Sequence, residues 1–386
     1  MNKVAPYVLI AVVAVAAYGA ILVNGAGFSH PDDGVAAQMR CVIEGINAVP
    51  GGSTGCNFRP LVALTYQVNQ RFGGWMLTNL GFHILAGFLV YSLAGSLSAA
   101  VLFSVHPMAA DAVASVAGRS AVLLAVSALG AVCLIRRWKW LSLPGFAILA
   151  GTAGFNPDYF NAIPRRPEIV DHVARYFSAL GSYVIPRAFI PLQLSADPDI
   201  RFSAVFLVFG VLVAVLAIGA AISLRRTPWA AGFLLLTLPL IPYALVPLPD
   251  VFLEHRAYLS LAGVSILLAC ALKTFKVAQF ALVGLFMLLS VNRSFVYASP
   301  IALWQDAAQA SPNKGRPHNN LAGAYARAGL WKAAQFELER AIAVEPEISM
   351  AWQNLATLHM LQGRMVESNR VLDAHNEFLK GNFNGF

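Results

Sequence analysis

The chain reads as an all-α protein: a polytopic membrane helix bundle of about nine spans, followed by a short C-terminal domain of helical repeats. Three observations point to it. Of 386 residues, 58% are hydrophobic and only 12% charged, where soluble domains carry roughly 25% charge. Apolar runs of spanning length recur as far as residue 293. Beyond it the composition turns polar and Ala-rich, and a period of 34 residues takes over.

The apolar runs fall near residues 5–24, 76–95, 97–116, 119–135, 141–155, 203–224, 229–247, 257–272 and 275–292. A span needs about 20 apolar residues. Several runs are shorter, which predicts that one or two are re-entrant and buried in protein. The first, VAPYVLIAVVAVAAYGAILV, follows Lys3 as a signal peptide would. It exceeds a signal's apolar core and a polytopic chain follows, so it reads as a retained helix.

Basic residues in short loops mark the cytoplasmic side. RRWK at 136–139, RR at 225–226 and KTFK at 273–276 alternate with the other loops, and Lys3 agrees. The N-terminus is then inside an inner (cytoplasmic) membrane. Nine crossings put the repeats and the loops 25–75, 156–202 and 248–256 outside. The loop 156–202 holds five arginines, but five acids accompany them and so long a loop is weakly bound by the rule. Its Tyr176 and Phe177 are expected to be buried along the interface. The net charge of +8 is thus mostly cytoplasmic anchoring and calls for no nucleic-acid partner. Cys133 and Cys270 lie inside spans as small apolar residues. Cys41 and Cys56 share the first outer loop, where an oxidising compartment permits a disulfide.

In the C-terminal part Leu321 recurs as Leu355, Ala322 as Ala356, Gly329 as Gly363 and Ala334 as Ser368. Backwards, the period matches Trp304 to Leu338, Ala307 to Ala341 and Pro312 to Pro346. These are the spacings of tetratricopeptide repeats, about two and a half of them over 301–380. They serve either as a structural cap or as a surface for a polypeptide.

Four ionisable groups lie on the outer side: Asp32 and Asp33 in GFSHPDDGV; Arg59 in CNFRPL; His106, Asp111 and Arg119 in VHPMAADAVASVAGR; and Glu254, His255 and Arg256 in FLEHRAYLS. Charge at membrane depth is costly and marks function by default. Pro107 suits the first position of a helix, with His106 beside its start. Asp111, Ser115 and Arg119 then share one helix face. A structural ion pair between two spans is the plain account of that stretch. A carboxylate beside a cationic cluster is also what transfer from a lipid phosphate needs: the acid takes a proton from a hydroxyl while Arg and His stabilise the departing phosphate. His83, inside an apolar run, reads as a hydrogen-bonding or packing residue. No metal-ligand spacing stands out; a Mg or Mn ion would have to be built on Asp32, Asp33 and Glu254.

FRPLVALTYQVNQRFGG, NLGFHILAGFLVYSL, VLFSVHPMAADAVASVAGR and FLEHRAYLSLAGV, followed by the repeats, resemble the transmembrane and tetratricopeptide-repeat O-mannosyltransferases and their bacterial relatives. The resemblance implies a C-type (GT-C) glycosyltransferase domain over 1–293, with its outer loops at 25–75 and 156–202. Such an enzyme takes a hexose, mannose first among candidates, from a polyprenyl-phosphate sugar donor. It passes the sugar with inversion to Ser or Thr of an exported protein. The resemblance makes Asp33 or Asp32 the base and sets Arg59, His106, Arg119, His255 and Arg256 around the phosphate. Glu254 orients the last two, Asp111 supports, and Tyr258 is a weaker contact for the sugar donor. The alternatives are a non-catalytic repeat scaffold for an envelope assembly and a lipid-linked sugar transporter.

Overall fold

A computed structural model describes residues 4–23, 60–116, 118–137, 166–245 and 250–383. Among the described residues the structure is helical, without strands. It divides into two compact units, Met1–Leu194 with Ile200–Ala298, and Ser195–Asp199 with Ser299–Phe386. The second unit therefore claims five residues from the 156–202 segment that the sequence assigned wholly to the membrane domain.

In the first unit the helices are α1 (Ala5–Tyr18), α2 (Ala20–Val23), α3 (Pro60–Phe72), α4 (Trp75–Ala94), α5 (Leu97–Ser104), α6 (Ala110–Ala114), α7 (Arg119–Arg137), α8 (Arg166–Ala179), α9 (Ile185–Phe189), α10 (Ala204–Ser223), α11 (Pro228–Thr237), α12 (Ile241–Leu245), α13 (Tyr258–Ala271) and α14 (Lys276–Tyr297). Among the described residues five segments are long and apolar enough to cross a membrane: Trp75–Ala94, Arg119–Arg136, Ala204–Ser223, Pro228–Leu245 and Lys276–Tyr297. A bent pair, Leu97–Ser104 with Pro107–Ala114, makes a sixth if it is one span.

Among the described residues not every apolar run is a straight span. The run 97–116 is bent by 53°, because Pro107 has no N–H to give and its ring clashes with the turn before it. The runs at 5–24 and 257–272 form helices of 14 residues each, α1 and α13. The run 141–155 lies outside the described residues. α13 is buried along nearly its whole length, as suits an inner helix packed on α5 and α11. α10 instead leaves Val205 75% and Leu216 69% exposed, apolar surface that lipid covers without cost. From 166 to 189 the chain is one helix, α8 and α9 joined by a π-helical turn at Leu180–Val184. Tyr176 is buried in it and Phe177 half-buried.

The second unit holds α15 (Pro300–Ala310), α16 (Gly315–Arg327), α17 (Trp331–Val344), α18 (Ser349–Leu361) and α19 (Met365–Phe383). α18 starts 34 residues after α16, and α19 34 after α17. Each pair turns on a left-handed glycine, Gly329 at φ 76° and Gly363 at φ 75°, a conformation in which a Cβ is strained. Ala322, Ala334, Leu338, Leu355 and Leu358 form the core between the pairs. Trp304, from α15, is fully buried. Asp197 is buried, with Lys314 and Arg316 both on its carboxylate and its carbonyl accepting from Ser311 Oγ at 2.8 Å.

Candidate functional site

The bend between α5 and α6 exposes backbone that a straight helix would have satisfied, and in an apolar interior each such group needs a partner. Side chains from other helices supply them. Tyr18 of α1 donates to the His106 carbonyl at 2.5 Å, and Ser290 of α14 donates to the Val105 carbonyl at 2.8 Å. His106 caps the turn Pro107–Ala109: its Nδ1 accepts from Met108 N at 3.2 Å, and its Nε2 faces the Ala188 carbonyl at 2.9 Å. A carbonyl only accepts, so Nε2 carries the proton. Both nitrogens are engaged and the residue is fully buried, which leaves no ring N–H for a phosphate oxygen.

Asp111, Ser115 and Arg119 do not share one helix. α6 stops at Ala114, Ser115 is extended, and α7 begins at Arg119. Ser115 Oγ accepts from Gly118 N at 2.8 Å. Gly118 packs so tightly on the end of α6 that a Cβ would stand 2.6 Å from the Ala112 carbonyl oxygen; the turn requires glycine. The three side chains accordingly go to three places. Asp111 Oδ2 accepts from His255 N at 3.0 Å and faces His255 Nδ1 at 2.9 Å. Arg119, fully buried, donates from Nε to Asn79 Oδ1 at 2.6 Å, from one terminal nitrogen to the Trp75 carbonyl at 2.8 Å and from the other to the Thr65 carbonyl at 3.3 Å. Its guanidinium also lies over the Tyr66 and Trp75 rings, 5.0 and 5.2 Å from their centroids.

Glu254, His255 and Arg256 stand together in the 3-10 turn Glu254–Ala257 that precedes α13. Glu254, fully buried, accepts from the Tyr183 hydroxyl at 2.6 Å and has Arg293 at 3.9 Å. Arg256 donates to the Asp250 carbonyl at 2.7 Å and lies over the Tyr243 ring. Tyr258 is fully buried with its hydroxyl 2.6 Å from His83 Nδ1, while His83 Nε2 faces the Ser104 carbonyl at 3.2 Å. The carbonyl fixes the proton on Nε2, so Tyr258 donates to Nδ1. This tyrosine is spent on tying α13 to α4, and a contact to a sugar donor would have to break that bond.

Two sequence-distant stretches thus meet, the turn after α5 and the turn before α13, through Asp111 and His255. Tyr183 and Arg293 join them, and the sequence reading passed over both. Tyr183 lies in a segment with no apolar period of its own. The signal for Arg293 was present: a lone arginine closing an apolar run at the boundary that Glu254 occupies. Asp32, Asp33, Arg59, Cys41 and Cys56 lie outside the described residues. Cys133 and Cys270 are free thiols. Among the described residues no group of three or more His, Cys, Asp or Glu side chains is arranged to hold a metal ion.

The first unit has two chemically different ends. One end gathers Tyr18, His106, Asp111, Glu254, His255, Ser290 and Arg293, at the close of α1, α5 and α14 and the start of α13. The other ends of these and neighbouring helices carry Arg136, Arg225, Arg226, Lys273 and Lys276, with no acid there among the described residues. α4 and α7 run side by side between the two: Arg119 reaches Trp75 at one end and Arg136 reaches the Leu93 carbonyl, at 3.0 Å, at the other.

Comparison with family models, with curated proteins and with solved structures yields no match.

Proposed function

We propose that the chain is a membrane glycosyltransferase that moves a hexose, mannose first among candidates, from a polyprenyl phosphate to a Ser or Thr hydroxyl of an exported polypeptide. The observation that carries this reading is the meeting of Asp111, Glu254, His255 and Arg293 at one end of an apolar bundle whose other end, among the described residues, carries basic side chains and no acid. A lipid phosphate sits at the boundary where such a cluster lies. A hydroxyl there must lose a proton as it attacks, and cations must take up the charge on the departing phosphate. Attack and departure on opposite faces of the sugar invert the anomeric carbon and need no covalent enzyme intermediate. The base that the sequence resemblance implies is Asp33 or Asp32. By the same reading the segment 301–380 is a tetratricopeptide array that presents the polypeptide; the equal 34-residue offsets of its helices support this.

A second reading is favoured by a specific observation. His106, Arg119 and Glu254 are fully buried on internal partners, as in a non-catalytic membrane scaffold whose polar groups only hold helix breaks together. One experiment separates the two. The purified protein in lipid nanodiscs is given labelled polyprenyl-phosphate hexoses and Ser/Thr-containing peptides, and the peptides are weighed by mass spectrometry. Glycosylated peptide is expected. Unmodified peptide with every sugar donor leaves the scaffold, and movement of the lipid-linked sugar across proteoliposomes without a new glycosidic bond would make the chain a transporter.

A further inference from the structure

The geometry around His255 assigns it a different task from the phosphate contact read from sequence. Asp111 Oδ2 takes two bonds from this one residue, the backbone N–H at 3.0 Å and Nδ1 at 2.9 Å. A carboxylate only accepts, so the Nδ1 proton points at Asp111, and in the neutral ring Nε2 keeps its lone pair. That nitrogen has no hydrogen-bond partner among the described residues. The His255 side chain is 21% exposed while Asp111 is 5% exposed. A phosphate oxygen needs an N–H, and this ring has already committed its own. What it offers outward is a base.

His83 and His106 show the contrast. Each is fully buried with both nitrogens bonded, and each ties helices together. Among the described residues His255 is hydrogen-bonded from one side only, by a buried acid on another helix, and its side chain stays 21% exposed. This is the logic by which a carboxylate fixes tautomer and ring orientation of a general base.

We propose that His255, oriented by Asp111, accepts the proton of the incoming hydroxyl, an assignment that rests on the transferase reading and moves the base away from Asp33. The hydroxyl proton passes to Nε2 as the acceptor oxygen bonds to the anomeric carbon. The bond from that carbon to the phosphate oxygen breaks, its electron pair leaving with the polyprenyl phosphate. Asp111 is a positioning residue and touches no substrate.

Diethyl pyrocarbonate, which acylates an unprotonated imidazole nitrogen, tests the dyad without any sugar. In the full chain in nanodiscs, His255 is expected to be acylated about 10-fold or more faster than His83 or His106. Asp111→Asn is expected to slow it by a similar factor, because the amide donates to Nδ1 and drives the proton to Nε2. Asp111→Glu should restore much of the rate. A His255 no more reactive than His106 overturns the proposal, and this comparison needs only the unmutated chain if a variant fails to fold. Equal rates in the chain and in a folded Asp111→Asn variant overturn it as well. In the transfer assay with mannosyl polyprenyl phosphate, His255→Gln should cost about 100-fold or more in turnover with KM for the sugar donor little changed. Near-normal turnover in His255→Gln, with loss in Asp33→Asn, returns the base to Asp33. Should the unmutated chain transfer no sugar, the transferase reading falls, and the acylation rates still decide whether the dyad exists.

Discussion

Arg119 carries a positive charge into a fully buried position, and what holds it there is neutral: the Asn79 side chain, two backbone carbonyls and two aromatic rings. The planar fork matters more than the charge, since its nitrogens reach three acceptors at once. Asn79 in turn donates to the Ser115 carbonyl at 2.8 Å, so the same network closes the turn between α6 and α7. Arg119→Lys keeps the charge and loses the fork. It is expected to cost about 3 kcal/mol, two or three orphaned acceptors at about 1–3 kcal/mol each with partial relief from water, read as a lowered unfolding midpoint in detergent. A phosphate-binding arginine would behave otherwise, with an unshifted midpoint and a weakened grip on the sugar donor. The sequence marked Arg119 as functional because a buried cation is expensive; it could not show that the expense is met inside the fold. Glu254 illustrates the same limit. Adjacency suggested that it steers His255 and Arg256; its partners include Tyr183 and Arg293, 71 and 39 residues away, which no local pattern pairs with it.

Secondary structure was easier to read than partnership. Pro107 as a first helical position and His106 at the helix start are both found, because proline's missing N–H acts locally. That the same proline bends the span by 53° needed the packing partners Tyr18 and Ser290, which no local pattern contains. In the second unit the 34-residue period reappears as equal helix offsets and equal glycine turns, since each repeat buries the same small residues. One group there is sensitive to acid. His359 of α18 is buried, and burial together with the charge of Arg364 holds its imidazole below the ordinary value of 6.5, with Glu367 and Glu339 pulling weakly the other way. The unfolded chain then binds a proton that the folded unit resists. The His359 contribution is therefore present in full above about pH 6.5 and falls away as pH drops toward its depressed folded value. Amide exchange over residues 349–361 of the full chain is expected to quicken on going from pH 7.5 to 5.5, after correction for intrinsic rates. His359→Gln, which cannot titrate, should flatten that dependence; an unchanged slope would rule His359 out as its source.

The two ends of the first unit bring its orientation within reach of a measurement. Arg136, Arg225, Arg226, Lys273 and Lys276 crowd the end opposite the Asp111–His255 turn, and uncompensated basic loops stay on the cytoplasmic side. The polar turn is then expected to face outward, where on the proposed reading an exported polypeptide and a lipid-linked sugar would meet it. The number of crossings that the sequence suggested does not decide this, because the run 141–155 that it counts lies outside the described residues. Labelling does. With Cys41, Cys56, Cys133 and Cys270 replaced, single cysteines at Gln193, at Arg226 and at Lys273, all exposed, are offered a membrane-impermeant maleimide in intact cells. Gln193→Cys is expected to label at once, and Arg226→Cys and Lys273→Cys only after the membrane is opened. The reverse pattern would turn Asp111 and His255 toward the cytosol. Export-coupled glycosylation would then lose its physical basis whatever the chemistry of the dyad, because the acceptor and the base would be separated by the hydrocarbon core.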